Sequence, residues 1–293
     1  RATHFALSDK ITLHDVGVSE KFMLHAYGRR LNKILCEIRP DICVSVGGRD
    51  IFCLPSCTDG SIKVSEFHFS HDKYAVKYGG SFFGNIYARF RMRQIEKVAA
   101  KLDKFIVLTK SDKKDWEPFV PNVTSIYNPL TFKSEEVAAL DNKKCIAIGR
   151  LESQKNFRDL VAAWKYVAEE YPDWVLEIYG NGSLKESLQK QITSLGLDLQ
   201  VRLMGSSSDI RSKMLDSSCL VMSSAYEGFP MVLLEAVETG LPMVSYDCPK
   251  GPAEIIIDGK SGYLVKPGDV KGLARRVCDV ISDAGRRKEF GAM

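Results

Sequence analysis

From about residue 143 to its end the chain repeats one pattern: a short β-rich apolar run, a loop containing glycine, then an amphipathic helical stretch. This alternation is the signature of βαβ units, so the chain must build a parallel sheet with helices packed on it. Strands are expected at 143–149 (KKCIAIG), 175–180 (VLEIYG), 201–205 (VRLMG), 219–224 (CLVMSS) and 242–247 (PMVSYD). Helices are expected to begin near Phe157, Ser183, Asp209 and Pro230, with a final helix from Val270 onward.

The first part alternates less regularly. Its strand candidates are 41–47, 62–69, 104–110 and 123–129, with long helical patterns at 20–38 and 85–103. The stretch 130–142 is polar, follows Asn128-Pro129 and suits a linker between two α/β halves. A chain of 293 residues is long enough for two cores, and the division is expected as an N-terminal domain over 1–135 and a C-terminal domain over 136–293. The composition is that of an ordinary globular protein, 45% hydrophobic and 27% charged. No apolar run reaches the roughly eighteen residues of a spanning helix, and the start does not read as a signal peptide.

The eight cysteines include no CxxC pair, and several lie inside strand-like runs. They read as reduced core thiols of a cytoplasmic protein. The five histidines, His4, His14, His25, His68 and His71, show no zinc-binding spacing, so no metal is expected. A net charge of +4 is too weak to imply nucleic acid. That charge is uneven: residues 1–140 hold 21 Lys+Arg against 16 Asp+Glu. Arg89, Arg93, Lys97, Lys101 and Lys104 recur at helical spacing and are expected to share one face. Such a face is either merely solvated or meets anionic lipid headgroups or a phosphate-bearing acceptor, so peripheral membrane contact through 89–104 is an expectation.

The most informative segment is 223–245, SSAYEGFPMVLLEAVETGLPMVS. A strand ends in small residues, and a turn of Glu227, Gly228, Phe229 and Pro230 leads into a helix whose first turn suits Pro230. The free N–H groups of that turn can meet anions or sugar hydroxyls at the carboxyl edge of the sheet. Glu227 stands at its mouth. Glu235 sits beside Leu233, Leu234 and Ala236, where complementing a helix dipole does not account for it, so a hydrogen-bonding role is expected. In 146–157, IAIGRLESQKNF, Gly149, Arg150 and Lys155 flank one strand end and suit a diphosphate. The loop YGNGS at 179–183 is not a GxGxxG fingerprint, since Lys185 holds the last glycine position, which disfavours a nicotinamide enzyme.

The combination of GRLESQKN, EGFPMVLLE, GLPMVSYDCPKGPAEII and DGKSGYLV, in that order, resembles the C-terminal half of retaining glycosyltransferases of the GT-B fold, family four, from about residue 104 to the end. The DCPKGPAEII variant is most similar to bacterial enzymes of capsular and other surface polysaccharides. The resemblance implies an α/β protein with two Rossmann-like domains facing a central cleft. It implies that Arg150 and Lys155 bind the diphosphate, that Glu227 holds the donor sugar with help from Gly228, Phe229 and Pro230, and that Glu235 binds the ribose. His68, in VSEFHFSH, resembles the family histidine facing the donor sugar, with His71 as a neighbouring candidate.

The implied activity is retaining transfer of a hexose from a nucleotide diphosphate sugar, UDP-hexose favoured, to a glycan or lipid-linked glycan, without metal or other cofactor; the expected location is the cytoplasm, with the basic face at 89–104 as the candidate for contact with the inner face of the membrane. A non-hydrolysing epimerase or phosphorylase on the same fold, or a sugar-nucleotide-binding protein without turnover, are the alternatives. Family members usually begin with a short strand and a Gly-rich loop and end with a helix returning to the first domain. Neither is present between Arg1 and Met293, so terminal segments, and a stretch near Val18, are expected to be missing.

Overall fold

The computed structural model describes residues 8–18 and 23–293; His4 and residues 20–22 of the expected first helix lie outside them. Two parallel sheets form. In the first part α1 (Leu24–Ile38) precedes β1 (Ile42–Ser45), and β2 (Ile62–Phe67) leads through α2 (Lys73–Tyr78) and α3 (Phe82–Ala99) to β3 (Lys104–Val107); α4 (Lys110–Trp116) then joins β3 to β4 (Val123–Ser125). These strands lie side by side in chain order.

The second part runs β5 (Lys144–Ile148), α5 (Phe157–Glu170), β6 (Val175–Tyr179), α6 (Lys185–Ser194), β7 (Val201–Gly205), α7 (Ile210–Leu215), β8 (Cys219–Met222) and α8 (Met231–Glu238). It continues with β9 (Met243–Tyr246), α9 (Pro252–Ile255), β10 (Gly262–Val265), α10 (Val270–Ile281) and α11 (Ala284–Gly291). The spatial order is β10-β9-β8-β5-β6-β7, all parallel. Successive strands step one way from β5 and the other way from β8, so the chain reverses direction at the β5/β8 boundary. In open α/β sheets a crevice forms at that point, beyond the strand carboxyl ends.

The second sheet is packed on both faces. Trp164, Leu160, Leu176 and Val277 form one core, and Ile146, Leu220, Leu233 and Met243 form the other. Among the described residues the first sheet has a single core cluster, around Phe67, Phe105, Val107 and Trp116. Its opposite face carries Ile42 and Val44, paired in register with Ile62 and Val64, and Ile42, Val44 and Ile62 are at least half exposed.

Strands β5 to β9 form where the apolar runs place them. Strand β10 and helices α2, α4 and α9 were not expected. Three expectations need correction. The long helix of the first part starts at Phe82, because the Ser81 hydroxyl accepts from Gly84 N at 3.0 Å and caps it there. It ends at Ala99, so Lys101 lies in a turn and Lys104 opens β3; only Arg89, Arg93 and Lys97 share the helical face. Pro230 is the N-cap of α8 and not a residue of its first turn. The stretch 130–142 runs between β4 and β5, and it packs on the second sheet. Ala138 and Leu140 are buried in the second core, Ala138 N donates to Thr239 O, and Ser134 N donates to Glu238 Oε1 at 2.7 Å.

Candidate active site

The site grows from the two strand ends at the reversal point. Beyond β5 the ladder continues, Gly149 N donating to Tyr179 O and Leu151 N to Asn181 O, each at 2.9 Å. A Cβ at Gly149 would meet the Lys155 side chain at 2.9–3.0 Å, so the glycine lets the lysine stem lie flat across the loop. Gly180 is packed even closer, against the Gly149 carbonyl, and Gly182 against the Leu151 backbone.

Beyond β8, the loop 223–226 is stitched to the same place. Ser223 Oγ donates to Lys155 O, Ala225 N donates to Gln154 O, and Gln154 Nε2 donates to Tyr226 O at 3.1 Å. The stitching brings together residues 72 positions apart: Lys155 Nζ lies 2.6 Å from Glu227 Oε1. The pair is largely buried, with side chains 17% and 8% exposed. A charge-assisted bond is stronger than a neutral one, and here it holds a cation and a carboxylate at the mouth of the crevice. Both resemblance-implied residues are therefore in one cluster.

Arg150 is exposed and its guanidinium lies 3.4 Å from Gln154 Oε1. Glu235, one turn into α8, accepts from Thr131 Oγ1 at 2.6 Å. The turn Glu227–Pro230 meets the first sheet directly. A Cβ on Gly228 would collide with the His68 carbonyl oxygen and sit 3.2 Å from Phe69 Cα, so only glycine fits at this approach. His68 thus stands at the end of β2 against the Gly228 turn, its Nε2 3.6 Å from Glu66 Oε2. His71 is built into the first core instead: it lies 3.0 Å from Glu96 Oε1 and packs edge-on against Trp116. Phe229 stacks on Tyr127, with ring centroids 5.3 Å apart.

Sequence reasoning missed the residues that join the two halves here. Glu254 of α9 accepts from Ser111 N at 2.7 Å, Lys110 N at 3.1 Å and Tyr127 Oη at 2.9 Å. Burial alone would raise its pKa, but these donors outweigh it and hold the carboxyl below its ordinary value. Lys250 pairs with Asp115, and lies 4.0 Å from Asp72 and 3.5 Å from Ser111 O. Both belong to the DCPKGPAEII stretch, whose only sequence signal was its resemblance to a family motif. The neighbouring Cys248 thiol is pushed up by burial and by the Glu227 carboxylate.

With this geometry in hand, comparison with known proteins is decisive. Residues 131–292, more than half of the sequence, match the family described as Glycosyl transferases group 1. The chain belongs to this family. It is 26% identical over 277 residues to an uncharacterized glycosyltransferase of Haemophilus influenzae, covering 92% of this chain and 76% of that one. It is 34% identical to a lipopolysaccharide 1,6-galactosyltransferase of Salmonella typhimurium over 55% of this chain and 46% of that protein, so it spans less than half the length of that relative. Among solved structures, a TarM mutant of S. aureus in complex with Fondaparinux, alpha-GlcNAc-glycerol and UDP superposes with a TM-score of 0.79 at 22% identity, covering 91% of this chain and 54% of that one. The fold of this family member is GT-B: two Rossmann-like α/β units about a cleft.

Proposed function

We propose that the protein is a retaining, metal-independent hexosyltransferase that moves a hexose from a UDP-sugar to a hydroxyl of a glycan or lipid-linked glycan during surface polysaccharide synthesis, capsule included. The observation that carries this reading is the Lys155–Glu227 pair at the β5/β8 reversal point, beside the Gly228 turn that packs against the His68 backbone. Arg150 and Lys155 take the donor diphosphate. Negative charge grows on that group as the glycosidic bond breaks, so their stabilisation is larger in the transition state than in the ground state. Glu227, released from Lys155, accepts hydrogen bonds from the sugar hydroxyls, with the backbone of Gly228, Phe229 and Pro230 beside it. Glu235 accepts from the ribose, exchanging its Thr131 partner, and the His68 side lies against the sugar. The two cations supply the electrostatics a metal would otherwise provide, and the nucleotide sugar is a co-substrate, with no further cofactor. The proposed domain division falls at 135/136.

We place the protein in the cytoplasm, peripheral at the inner membrane face. Among the described residues no helix is long and apolar enough to cross a membrane. Support for surface contact comes from α3, where exposed Phe82, Phe83, Ile86 and Phe90 adjoin Arg89, Arg93 and Lys97. Apolar side chains beside cations are what an interfacial helix presents to anionic lipid.

The test is mass-spectrometric detection of transfer from a panel of nucleotide sugars, followed by kinetics of Arg150→Ala and Lys155→Ala. Bonds involving charged groups contribute about 1.5–3 kcal/mol, or roughly 10- to 150-fold in kcat/KM. Losses under threefold in both variants, with the fold intact by circular dichroism, would remove the diphosphate clamp.

A further inference from the structure

The first half holds a second site that none of this chemistry uses. A cavity of about 390 Å³ opens at the carboxyl end of β1, where Gly47 and Gly48 turn the chain. Lys73, Lys77 and Arg91 line it, together with Arg49, Tyr74, Tyr78 and Tyr87, and among the described residues its lining includes no carboxylate. The Lys73 ammonium sits 3.1 Å from the centroid of the Phe69 ring. Burial, followed by the nearby charges of Lys77 and Arg91, draws its pKa down to about 8. Lys73 is the partly desolvated member of the group, and the like charges of Lys77 and Arg91 beside it make the space favourable for an anion.

The cavity adjoins the cleft. A Cβ on Gly47 would touch Glu66 O at 3.2 Å and His68 N at 3.7 Å, and the next carbonyl along, that of His68, meets the Gly228 turn. Phe69, which carries the Lys73 ammonium, also lies against that turn. A ligand held by Lys73 is therefore one strand end away from the proposed donor sugar.

We propose that this cavity binds a phosphate group carried by the acceptor, so that the acceptor class is a phosphate ester and not a neutral glycan. The inference rests on the transferase reading for the word acceptor; the anion site itself does not. Lys73, Lys77 and Arg91 supply the charge, and the tyrosines supply hydroxyl donors and flat surfaces for a sugar or polyol next to the phosphate. The phosphate could belong to a polyol-phosphate chain or to a prenyl-diphosphate-linked sugar. The two share the chemistry that the pocket reads.

The experiment is titration calorimetry of the full chain with three probes: a glycerol-phosphate oligomer, a short-chain prenyl diphosphate sugar and a neutral octyl glycoside. At least one phosphate-bearing probe should bind about tenfold or more tighter than the neutral one, with an affinity that falls as salt rises. Whichever binds better names the source. Lys77→Gln and Arg91→Gln, at side chains that reach solvent, and Lys73→Gln should each lose about tenfold for that probe while UDP affinity stays within about twofold. Equal binding of all three probes, or variants indistinguishable from the wild type, would overturn the proposal. Failure of the wild type to bind UDP would instead count against the transferase reading and leave the probe result to stand by itself.

Discussion

Among the described residues the six-stranded sheet has a hydrophobic core on each face, whereas the four-stranded sheet has its core on one. Yet the strands look alike as sequence. CLVM of β8 and ICVS of β1 are both short apolar runs, but every residue of β8 is buried while Ile42 and Val44 of β1 are at least half exposed. An apolar run establishes that a strand forms and does not establish what covers it. The functional residues follow the same division. Lys155 and Glu227, proposed for the donor, sit on loops fixed between two packed layers, and His68 sits at the end of a strand whose sheet, among the described residues, has its core on one face.

The largest test of this contrast uses the two tryptophans buried in different halves. Trp116 and Trp164 are both fully buried, and removal of so large a side chain costs about 3–5 kcal/mol. Trp164→Ala should lower the melting temperature while leaving β5–β10 protected in hydrogen exchange. Trp116→Ala should strip protection from β1–β4, because the smaller cluster has less to lose. Equal protection losses in the two halves would break the comparison.

A smaller effect is expected where the halves touch. Gly228→Ala must push the turn away from His68, and overpacking of this kind costs about 1–3 kcal/mol. If the cleft geometry matters as proposed, kcat/KM should fall about tenfold or more with hydrogen exchange of both sheets unchanged. Unaltered kinetics would show that the approach of the halves is incidental.

The subtlest test is the pH profile, where two acids act with opposite sign. Burial raises Asp112, in the first half, from 3.8 to about 6, against the donors His71 N and Trp116 Nε1. The folded state then holds the proton that the unfolded chain has lost, so Asp112's contribution is complete below about pH 4 and disappears as pH rises through 6. Glu254, at the junction, is lowered, so its contribution is present above its ordinary value of 4.5 and is lost as pH falls through the lower folded value. Melts at stepped pH should show Asp112→Asn flattening the slope between 4 and 6 and Glu254→Gln flattening it below 4.5. Identical profiles for the two variants would remove the distinction.

Much of this was legible in the sequence, because strand period and helix period are local. Strands β5 to β9 and the start of α5 lie within two residues of where the pattern puts them. Strand β10 escaped because GYLV is four residues behind a turn at Asp258–Ser261, too short for a period to show. Helix α3 was placed three residues late because its start depends on a single hydroxyl, that of Ser81. The site was legible as residue types and not as pairs. Lys155 and Glu227 were assigned to different parts of the donor, and nothing local reveals a contact across 72 positions. Glu254 was invisible for the same reason: its partners, Lys110, Ser111 and Tyr127, belong to the other half of the chain.

The close packing of Gly149 with Gly180, and of Leu151 with Gly182, has a consequence for motion. Loops that carry ligand-binding side chains usually owe their mobility to space around the backbone. Here two strand-end loops touch carbonyl to α-carbon, and the 223–226 loop is bonded to the first of them, so Arg150, Lys155 and Glu227 ride on one body. Any closure around a ligand then carries these three side chains together, and it works against a junction held by the bonds of Lys250 and Glu254, the Gly228–His68 approach and the Phe229–Tyr127 stack.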